Sequence, residues 1–572
     1  MLSKNTYFSM NADNITLIKK NKNIFYKIKN YLINRISKIK SSEYLNTFIL
    51  GDSSGIGDNV LKSYRDNGIS HLFSVSGMHI TLLSSIILYI LNRIKKSNIN
   101  YIFVIIFLIF YMFLTNFTPS VIRATFLFIF LILNKFLNLK LSTAKILLML
   151  LCTVLIINPY NIYNVGFKFS YIISLYLILF NKIINRCSNY VTKTLITSFI
   201  SFLAGIPILI NNYFSINFMT ILNNIIFVPL VSIIIFPFSL IVVLIPKLDF
   251  IYDFMINILE NLSLWIINFK IEIILQHVNI FIIILYYLII TLILYKMLKR
   301  KYKYIFLIVI MLFIHTNINY IKNNLYVTFI DVGQGDSSLI HLPHNKGNIL
   351  IDTGGNFNYE ISKDIISYLK SEGIKSIDYL ILTHGDYDHM GEAINLVNNF
   401  KVKKIIFNCG EFNDLENELI KVLDKKKIPY YSCIKELSID DNKLYFLNDK
   451  DYDNENDNSN VIYTEFDNYK FLFMGDAGIE VEEDLLEKYN LKNIDVFKVG
   501  HHGSKTSSSE EFIDEINPKN SIISVGKNNR YGHPNNNVLE NLDDSKIYRT
   551  DQDGSVMFKI RNNELKIETC TP

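Results

Sequence analysis

The stretch Thr383-His384-Gly385-Asp386-Tyr387-Asp388-His389-Met390-Gly391 decides the reading of the C-terminal half of this 572-residue chain. It follows directly on Tyr379–Leu382, an apolar run of strand character. Four potential metal ligands within six residues at a strand end can point into one pocket, an ordering that a solvated turn does not produce by chance. Downstream, Gly475-Asp476 follows the apolar run Phe471–Met474, and Gly500-His501-His502-Gly503-Ser504 follows Val496–Val499. Each candidate ligand therefore sits where a strand gives way to a loop, the place where a rigid scaffold usually carries its site.

Such a set holds two divalent cations that activate water and stabilise charge on a phosphoryl or carbonyl centre. Asp476 is the candidate bridging carboxylate. Asp386 and Asp388 offer hard oxygen donors, and His384, His389 and one of His501 and His502 offer imidazoles. The expected catalytic residues are Asp388, His389 and Asp476. Ser504, Lys505 and Thr506 are positioned to meet a phosphate oxygen, with a solvated loop as the equal alternative. His533, in Tyr531-Gly532-His533-Pro534, either contacts substrate or supports the fold. His341 and His344 have no motif around them and read as ordinary surface histidines.

Around these motifs, from Leu325 on, short strand-like runs alternate with Gly/Asp turns and helical stretches. The runs are Tyr326–Ile330, Asn348–Ile351, Tyr379–Leu382, Lys404–Phe407, Tyr469–Met474, Val496–Val499 and Ser521–Val525, with a helix over Lys363–Ser371. This alternation predicts a mixed α/β domain over residues 322–572. Asp440–Ser459, rich in Asp and Asn, reads as a solvated loop. The five cysteines show no CxxC spacing and are too few for a disulfide framework; those near apolar segments read as small packed hydrophobes.

The first half is different in kind. Residues 1–320 hold 29 Lys and Arg against 9 Asp and Glu, whereas residues 321–572 hold 28 against 43, so the overall charge of +5 divides into +20 and −15. Only Asp249, Asp253, Glu260 and Glu272 are acidic between residues 71 and 320, and runs such as Tyr101–Leu114 and Phe281–Leu294 are almost free of charge. About ten such segments follow one another, near 72–92, 100–116, 120–137, 145–158, 165–182, 194–213, 219–245, 250–269, 275–297 and 304–319. That succession predicts a polytopic α-helical membrane domain over residues 48–320. Residues 1–47 form a basic N-terminal segment without the apolar run of a secretory signal. Basic loops at Arg93–Lys96, Lys135–Lys145, Lys182–Lys193, Lys247 and Lys296–Lys303 alternate with loops poor in Lys and Arg. The positive-inside rule then puts a multi-pass chain in the cytoplasmic membrane with everything after Asn319 outside the cytoplasm; the basic N-terminus runs against the same rule.

The ligand motifs resemble the metallo-β-lactamase superfamily, whose signature is His-x-His-x-Asp-His followed by a His, a metal-bridging Asp and a further His. The resemblance takes in Asp331-Val-Gly-Gln-Gly-Asp336 and Asp352-Thr-Gly-Gly355, and implies an αββα fold in which Asp331 and Asp352 support the ligands. Two departures stand out. Position 386 is Asp where the superfamily usually has His, and no histidine lies between His389 and His501, where Asn458-Ser459-Asn460 takes roughly the place of the middle ligand. Oxygen-rich ligation favours manganese or magnesium over zinc, and phosphodiesters over β-lactams as substrate.

In the apolar half, Gly51-Asp52, Asn67–Ile80 (NGISHLFSVSGMHI), Pro119-Ser-Val-Ile-Arg-Ala124, Asn158-Pro159, Gly166–Ser170 and Asn223–Pro229 resemble the competence domain of the ComEC family. That family has the same order of domains. Ser76, Gly77, His79 and Arg123 match its membrane signature. Many members carry a further extracytoplasmic OB-type domain, for which 47 residues are too short. The resemblance implies uptake of transforming DNA through a single-strand channel, with an attached metal-dependent nuclease. A membrane-tethered phosphoesterase with another substrate, or a DNA transporter with an inactive hydrolase, are the alternatives. Arg123, in an apolar span, is a candidate contact for the DNA backbone, or else snorkels to the headgroups. The −15 balance argues against broad electrostatic capture of DNA by the C-terminal region. No Walker motif is present, so an ATP-driven cytoplasmic motor, like a DNA receptor, is an expected partner.

Overall fold

The computed structural model describes residues 23–570 except Asn358; residues 1–22 of the basic N-terminal segment lie outside the described residues. The chain divides into two compact units, one reaching to Ile273 and including Val278–Met311, the other comprising Ile274–His277 and the chain from Leu312 on.

Helices occur at each of the ten apolar segments of the first half. Six are long and apolar enough to cross a bilayer: Ser70–Ile94, Pro119–Phe136, Tyr190–Tyr213, Met219–Leu244, Pro246–Phe269 and Ile280–Leu298. The chain is a multi-pass membrane protein. Ile99–Leu114, Thr143–Ile157, Val165–Leu179 and Tyr302–Thr316 are shorter. At 1.5 Å per residue they reach about 24 Å or less, under the roughly 30 Å of a hydrocarbon core. Apolar residues lie on both sides of these helices. In Ile99–Leu114, Val104 and Leu108 are buried while Ile102, Phe103 and Ile106 are exposed, the pattern of a helix whose solvent is lipid.

The second unit is built on two mixed sheets. One contains β1 (Leu325–Phe329), β2 (Ser338–His341), β3 (Asn348–Ile351), β4 (Tyr379–Ile381), β5 (Ile405–Phe407) and β6 (Tyr430–Ser432). The other contains β7 (Glu436–Ile439), β8 (Asn442–Phe446), β9 (Ile462–Phe466), β10 (Tyr469–Phe473), β11 (Val496–Lys498), β12 (Asn520–Ile523) and β13 (Lys546–Arg549). The chain then returns to the first sheet with β14 (Ser555–Arg561) and β15 (Glu564–Cys570), giving the orders β15-β14-β1-β2-β3-β4-β5-β6 and β13-β12-β11-β10-β9-β8-β7. In each sheet an antiparallel part passes into a parallel part, at β3–β4 in the first and at β10–β11 in the second.

The parallel strands are continuous apolar runs because both of their faces are buried. Alternate residues point opposite ways. Ile349, Ile351, Ile381, Phe471, Phe473 and Val496 meet in a core shared by the two sheets. Leu350, Leu380 and Leu382 face helices Ser362–Ser371 and Asp414–Lys426. Leu472, Met474 and Phe497 face helices Ile479–Lys488 and Glu510–Ile516. The layers are thus helix, sheet, sheet, helix, the αββα arrangement of the metallo-β-lactamase fold.

Asp440–Ser459 is not the solvated loop that its composition suggests. It contains β8, and Asp457, Asn458 and Ser459 are buried. Their amide, carboxylate and hydroxyl groups find backbone partners, which satisfies the polarity that suggested solvent.

Candidate metal centre

The site forms beyond the carboxyl ends of the parallel strands, where the first peptide groups past each ladder are released. Asp352 follows β3, Thr383 and His384 follow β4, Gly475-Asp476 follows β10, and His501-His502 follows β11. Asp352, His501 and His502 hold left-handed backbone with φ of 58°, 46° and 53°. For non-glycine residues this costs on the order of 1–3 kcal/mol each and persists only where surroundings enforce it. Gly475, at φ 59°, packs so closely on Ser459 and Thr383 that an added Cβ would lie 2.9 Å from the Ser459 Cβ.

Three buried ligand atoms converge: His384 Nε2 has no hydrogen-bond partner, and His389 Nε2 and Asp476 Oδ1 have none beyond their own approach at 3.1 Å. The same three residues bring one ligand atom each to within 4.8 Å of one another. Unsatisfied buried nitrogen and oxygen atoms are costly, and convergence of three on one point is what a cation resolves. Asp388, His389 and His502 make a second such group, and Asp336, Asp476 and His502 a third. The donor set fits a metal.

The surroundings fix which nitrogen faces inward. The His389 Nδ1–H donates to Asp352 Oδ2 at 2.9 Å, leaving Nε2 3.1 Å from Asp476 Oδ1. Asp352 also accepts from the Thr383 backbone N–H at 2.8 Å and from the Thr383 hydroxyl at 2.7 Å. It is therefore fully engaged in orienting the ring, the role of an outer carboxylate. His502 donates from Nδ1 to the Ser524 carbonyl at 2.8 Å, which turns Nε2 to Asp388 Oδ2 at 3.2 Å and Asp476 Oδ2 at 3.7 Å.

Electrostatics agree. Burial opposes a charged His389, yet Asp476 and then Asp352 outweigh it and hold its pKa well above the ordinary value. Burial would raise Asp388, but the His502 hydrogen bond and the charges of His389 and His502 bring it down to about 2. Asp476 is likewise held well below the carboxylate range, its burial overcome by His389 and His502. The pocket favours positive charge among its carboxylates.

The other expected residues fall in different places. Asp386 stands at the rim, 3.7 Å from His384 Nε2 and half exposed, and among the described residues it joins no such ligand group. His501 is more exposed than His502, 3.8 Å from Asp476 Oδ2, with Nδ1 at 3.1 Å from the Thr506 hydroxyl; it too lies outside those groups. Ser504 is buried and its Oγ accepts from the Thr506 hydroxyl, while Lys505 is exposed beside it. The His533 ring lies 6.0 Å from that of His501.

Ser459, in the segment that the sequence sets against the missing middle histidine, lies beside two of the candidate ligands. Its Oγ accepts from the Asp476 backbone N–H at 3.0 Å and lies 3.3 Å from His384 Nδ1. Lys498 was not anticipated. It is 2% exposed, and its ammonium lies 2.7 Å from Asp336, whose other oxygen lies 3.6 Å from His502 Nδ1. A lone lysine in the apolar run Val496–Val499 was the available signal.

Two expectations are corrected. His341 is not a surface residue: it is buried on β2, bonded at 2.6 Å to the Asn348 amide oxygen, and burial lowers its pKa. The partner lies on the adjacent strand, invisible to local sequence. Cys409 and Cys433 form a disulfide across 24 residues, because parallel pairing of β5 with β6 brings the residues after each strand together.

Comparison with known proteins accords with both halves. Residues 48–300 match the competence protein family, and residues 330–527 match the metallo-β-lactamase superfamily. ComE operon protein 3 of Bacillus subtilis (strain 168) is 29% identical over 562 residues, covering 91% of this chain and 72% of that protein. The chain thus pairs a competence-protein region with a metallo-β-lactamase region, and is similar to this competence protein over most of its length. Two further relatives match over shorter spans. Recombination protein 2 of Haemophilus influenzae is 30% identical over 42% of this chain and 30% of its own. Competence protein ComA of Neisseria gonorrhoeae is 26% identical over 43% and 34%.

In the competence signature His79, Asn67 and Asn223 are buried, and Ser76 and Arg123 are half-buried. At the N-terminus of helix Gly77–Ile94 the Ser76 backbone N–H donates to His79 Nδ1 at 3.2 Å, and the His79 ring stacks on Phe236 at 4.2 Å. Asn67 donates to the Ser263 carbonyl at 2.8 Å, and Asn223 to the Asn67 carbonyl at 3.0 Å. Arg123 donates to the Ser170 carbonyl and the Ser174 hydroxyl and lies against Gly77; its Nε has no partner. Of these, Arg123 is the ionisable group in an apolar span and so the functional-site candidate, while the Asn bonds join helices.

Proposed function

We propose that this protein takes up transforming DNA across the cytoplasmic membrane as a single strand, and that its second unit is a metal-dependent nuclease. The observation that carries the reading is the convergence of the buried His384, His389 and Asp476 ligand atoms, in the same chain as a competence-type membrane unit. His384, His389 and Asp476 would hold one cation, and Asp388 and His502 a second, with Asp476 near enough to His502 to serve both. Manganese or magnesium suits the carboxylate-rich set better than zinc. When bound, a divalent cation supplies Lewis acidity to a phosphoryl oxygen and acidifies water. The chain's own residues hold the geometry. Asp352 keeps the His389 proton on Nδ1, the Ser524 carbonyl does the same for His502, and Ser459 fixes the turn that presents Asp476.

The disulfide supports an extracytoplasmic second unit, since such bonds persist in oxidising compartments. The basic-loop alternation points the same way. In the membrane unit, Arg123 offers a cation to a passing phosphate. A DNA receptor outside and an ATP-driven motor in the cytoplasm complete the proposed machine. One observation favours a silent hydrolase instead: no histidine lies between His389 and His501.

The test is twofold. Deletion of the protein abolishes transformation, and normal transformation sinks the uptake reading. The purified full-length protein cleaves DNA with manganese or magnesium, and Asp388→Ala loses this; no cleavage with any metal leaves the silent-hydrolase reading.

A further inference from the structure

Two exposed aromatic pairs adjoin loops that carry the candidate ligands. In one, Phe357, 86% exposed, lies face to face on Tyr387, the rings 4.1 Å apart and 3° from parallel. Tyr387 directly precedes the Asp388-His389 ligand pair. In the other, Tyr531, 69% exposed, lies 11° from parallel to His533 at 5.8 Å, and His533 in turn adjoins His501.

Both pairs are held from behind. Gly355 packs directly on the Tyr387 backbone carbonyl, leaving no room for a side chain. Asn529 pins the second loop: its side-chain oxygen accepts from the Tyr531 and His533 backbone N–H groups at 3.1 and 3.0 Å, and its amide donates to the His533 carbonyl at 2.7 Å. Asn535 N–H bonds the Gly503 carbonyl at 2.8 Å, tying that loop to the His501-His502 turn. Leaving a Phe and a Tyr largely in water forgoes the stabilisation that their burial would bring.

We infer that Phe357 and Tyr531 are stacking platforms for nucleobases on either side of the scissile phosphate, so that the site takes a single-stranded polynucleotide rather than small phosphoesters. The inference rests on the nuclease reading for its choice of ligand. Charge narrows the choice. The region from residue 321 carries a net −15, so attraction for phosphates does not supply the affinity. Exposed lysine and arginine are present locally at Lys505, Lys527 and Arg530, enough to offset individual phosphates only. Stacking holds any base and is insensitive to that charge. Duplex DNA hides its base faces and cannot use such platforms.

The test compares a short oligothymidylate with an abasic oligomer of the same length, on full-length protein in lipid nanodiscs without divalent cation. Binding is read by anisotropy, and cleavage plays no part. The wild type should prefer the oligothymidylate by about 10-fold or more. Phe357→Ala/Tyr531→Ala should erase that preference, and Phe357→Tyr/Tyr531→Phe should keep it. The membrane unit is present in all three proteins, so only their difference is read. Equal affinity of the wild type for the two oligomers, or a preference that survives in the alanine pair, overturns the inference. Cleavage without base preference would remove the platforms and leave the nuclease; base preference without cleavage would do the reverse.

Discussion

Asp352→Asn tests the metal centre through one proton. Asp352 Oδ1 accepts from the Thr383 backbone N–H, and Oδ2 accepts from both the Thr383 hydroxyl and His389 Nδ1–H. In the amide the oxygen stays opposite the backbone N–H, so the NH2 falls where Oδ2 was. The Thr383 hydroxyl can turn to accept from it. His389 can accept only by moving its own proton to Nε2, the atom that faces Asp476. A protonated Nε2 is no longer a ligand. Loss of an outer carboxylate of this kind weakens metal binding about 10- to 100-fold, or about 1.4–2.8 kcal/mol. Manganese titration of the full-length protein followed by electron paramagnetic resonance reads this directly. Thr383→Val removes a hydroxyl donor yet leaves the Nδ1–Asp352 bond, and should cost less than about 3-fold on the same scale. Unchanged affinity in Asp352→Asn, or an equal loss in Thr383→Val, refutes the tautomer argument.

Other outcomes follow from separate contacts. Asp388→Ala should lower metal-dependent cleavage at least about 100-fold, since a ligand matters more than its supports; residual activity near wild type would remove Asp388 from the centre. Burial pushes the Glu416 carboxyl up to about 7, only partly opposed by the Asn413 backbone N–H. The folded state then holds a proton that the unfolded state releases near 4.5, so stability falls as pH rises from about 4.5 to about 7. Glu416→Gln should therefore raise the melting temperature at pH 8 and not at pH 4, and equal shifts at both would contradict the sign. Reducing Cys409–Cys433 reopens a 24-residue separation and should cost about 3 kcal/mol, seen as a lower melting temperature under reductant. Arg123→Met should impair transformation while Arg123→Lys impairs it less, and full transformation of Arg123→Met would make the residue structural.

The apolar segments and their positive loops were legible because bilayer solvation acts on local composition: a charge-free helix needs no distant partner to be recognised. The strands of the second unit were legible for a similar reason, since burial of both faces writes a continuous apolar run. His384, Asp388, His389 and Asp476 could be named because chain-local spacing at strand ends already puts ligands on one rim. Sequence by itself thus determined a polytopic membrane half, a mixed α/β half and most of the candidate ligands. Tertiary structure alone decided that His502 rather than His501 turns into the ligand groups, that Lys498 pairs with Asp336, that Ser459 bonds the Asp476 backbone beside His384, and that Cys409 meets Cys433. Each of these depends on which strands lie side by side and on left-handed backbone enforced by neighbours, and neither is encoded within a few residues of the position it affects.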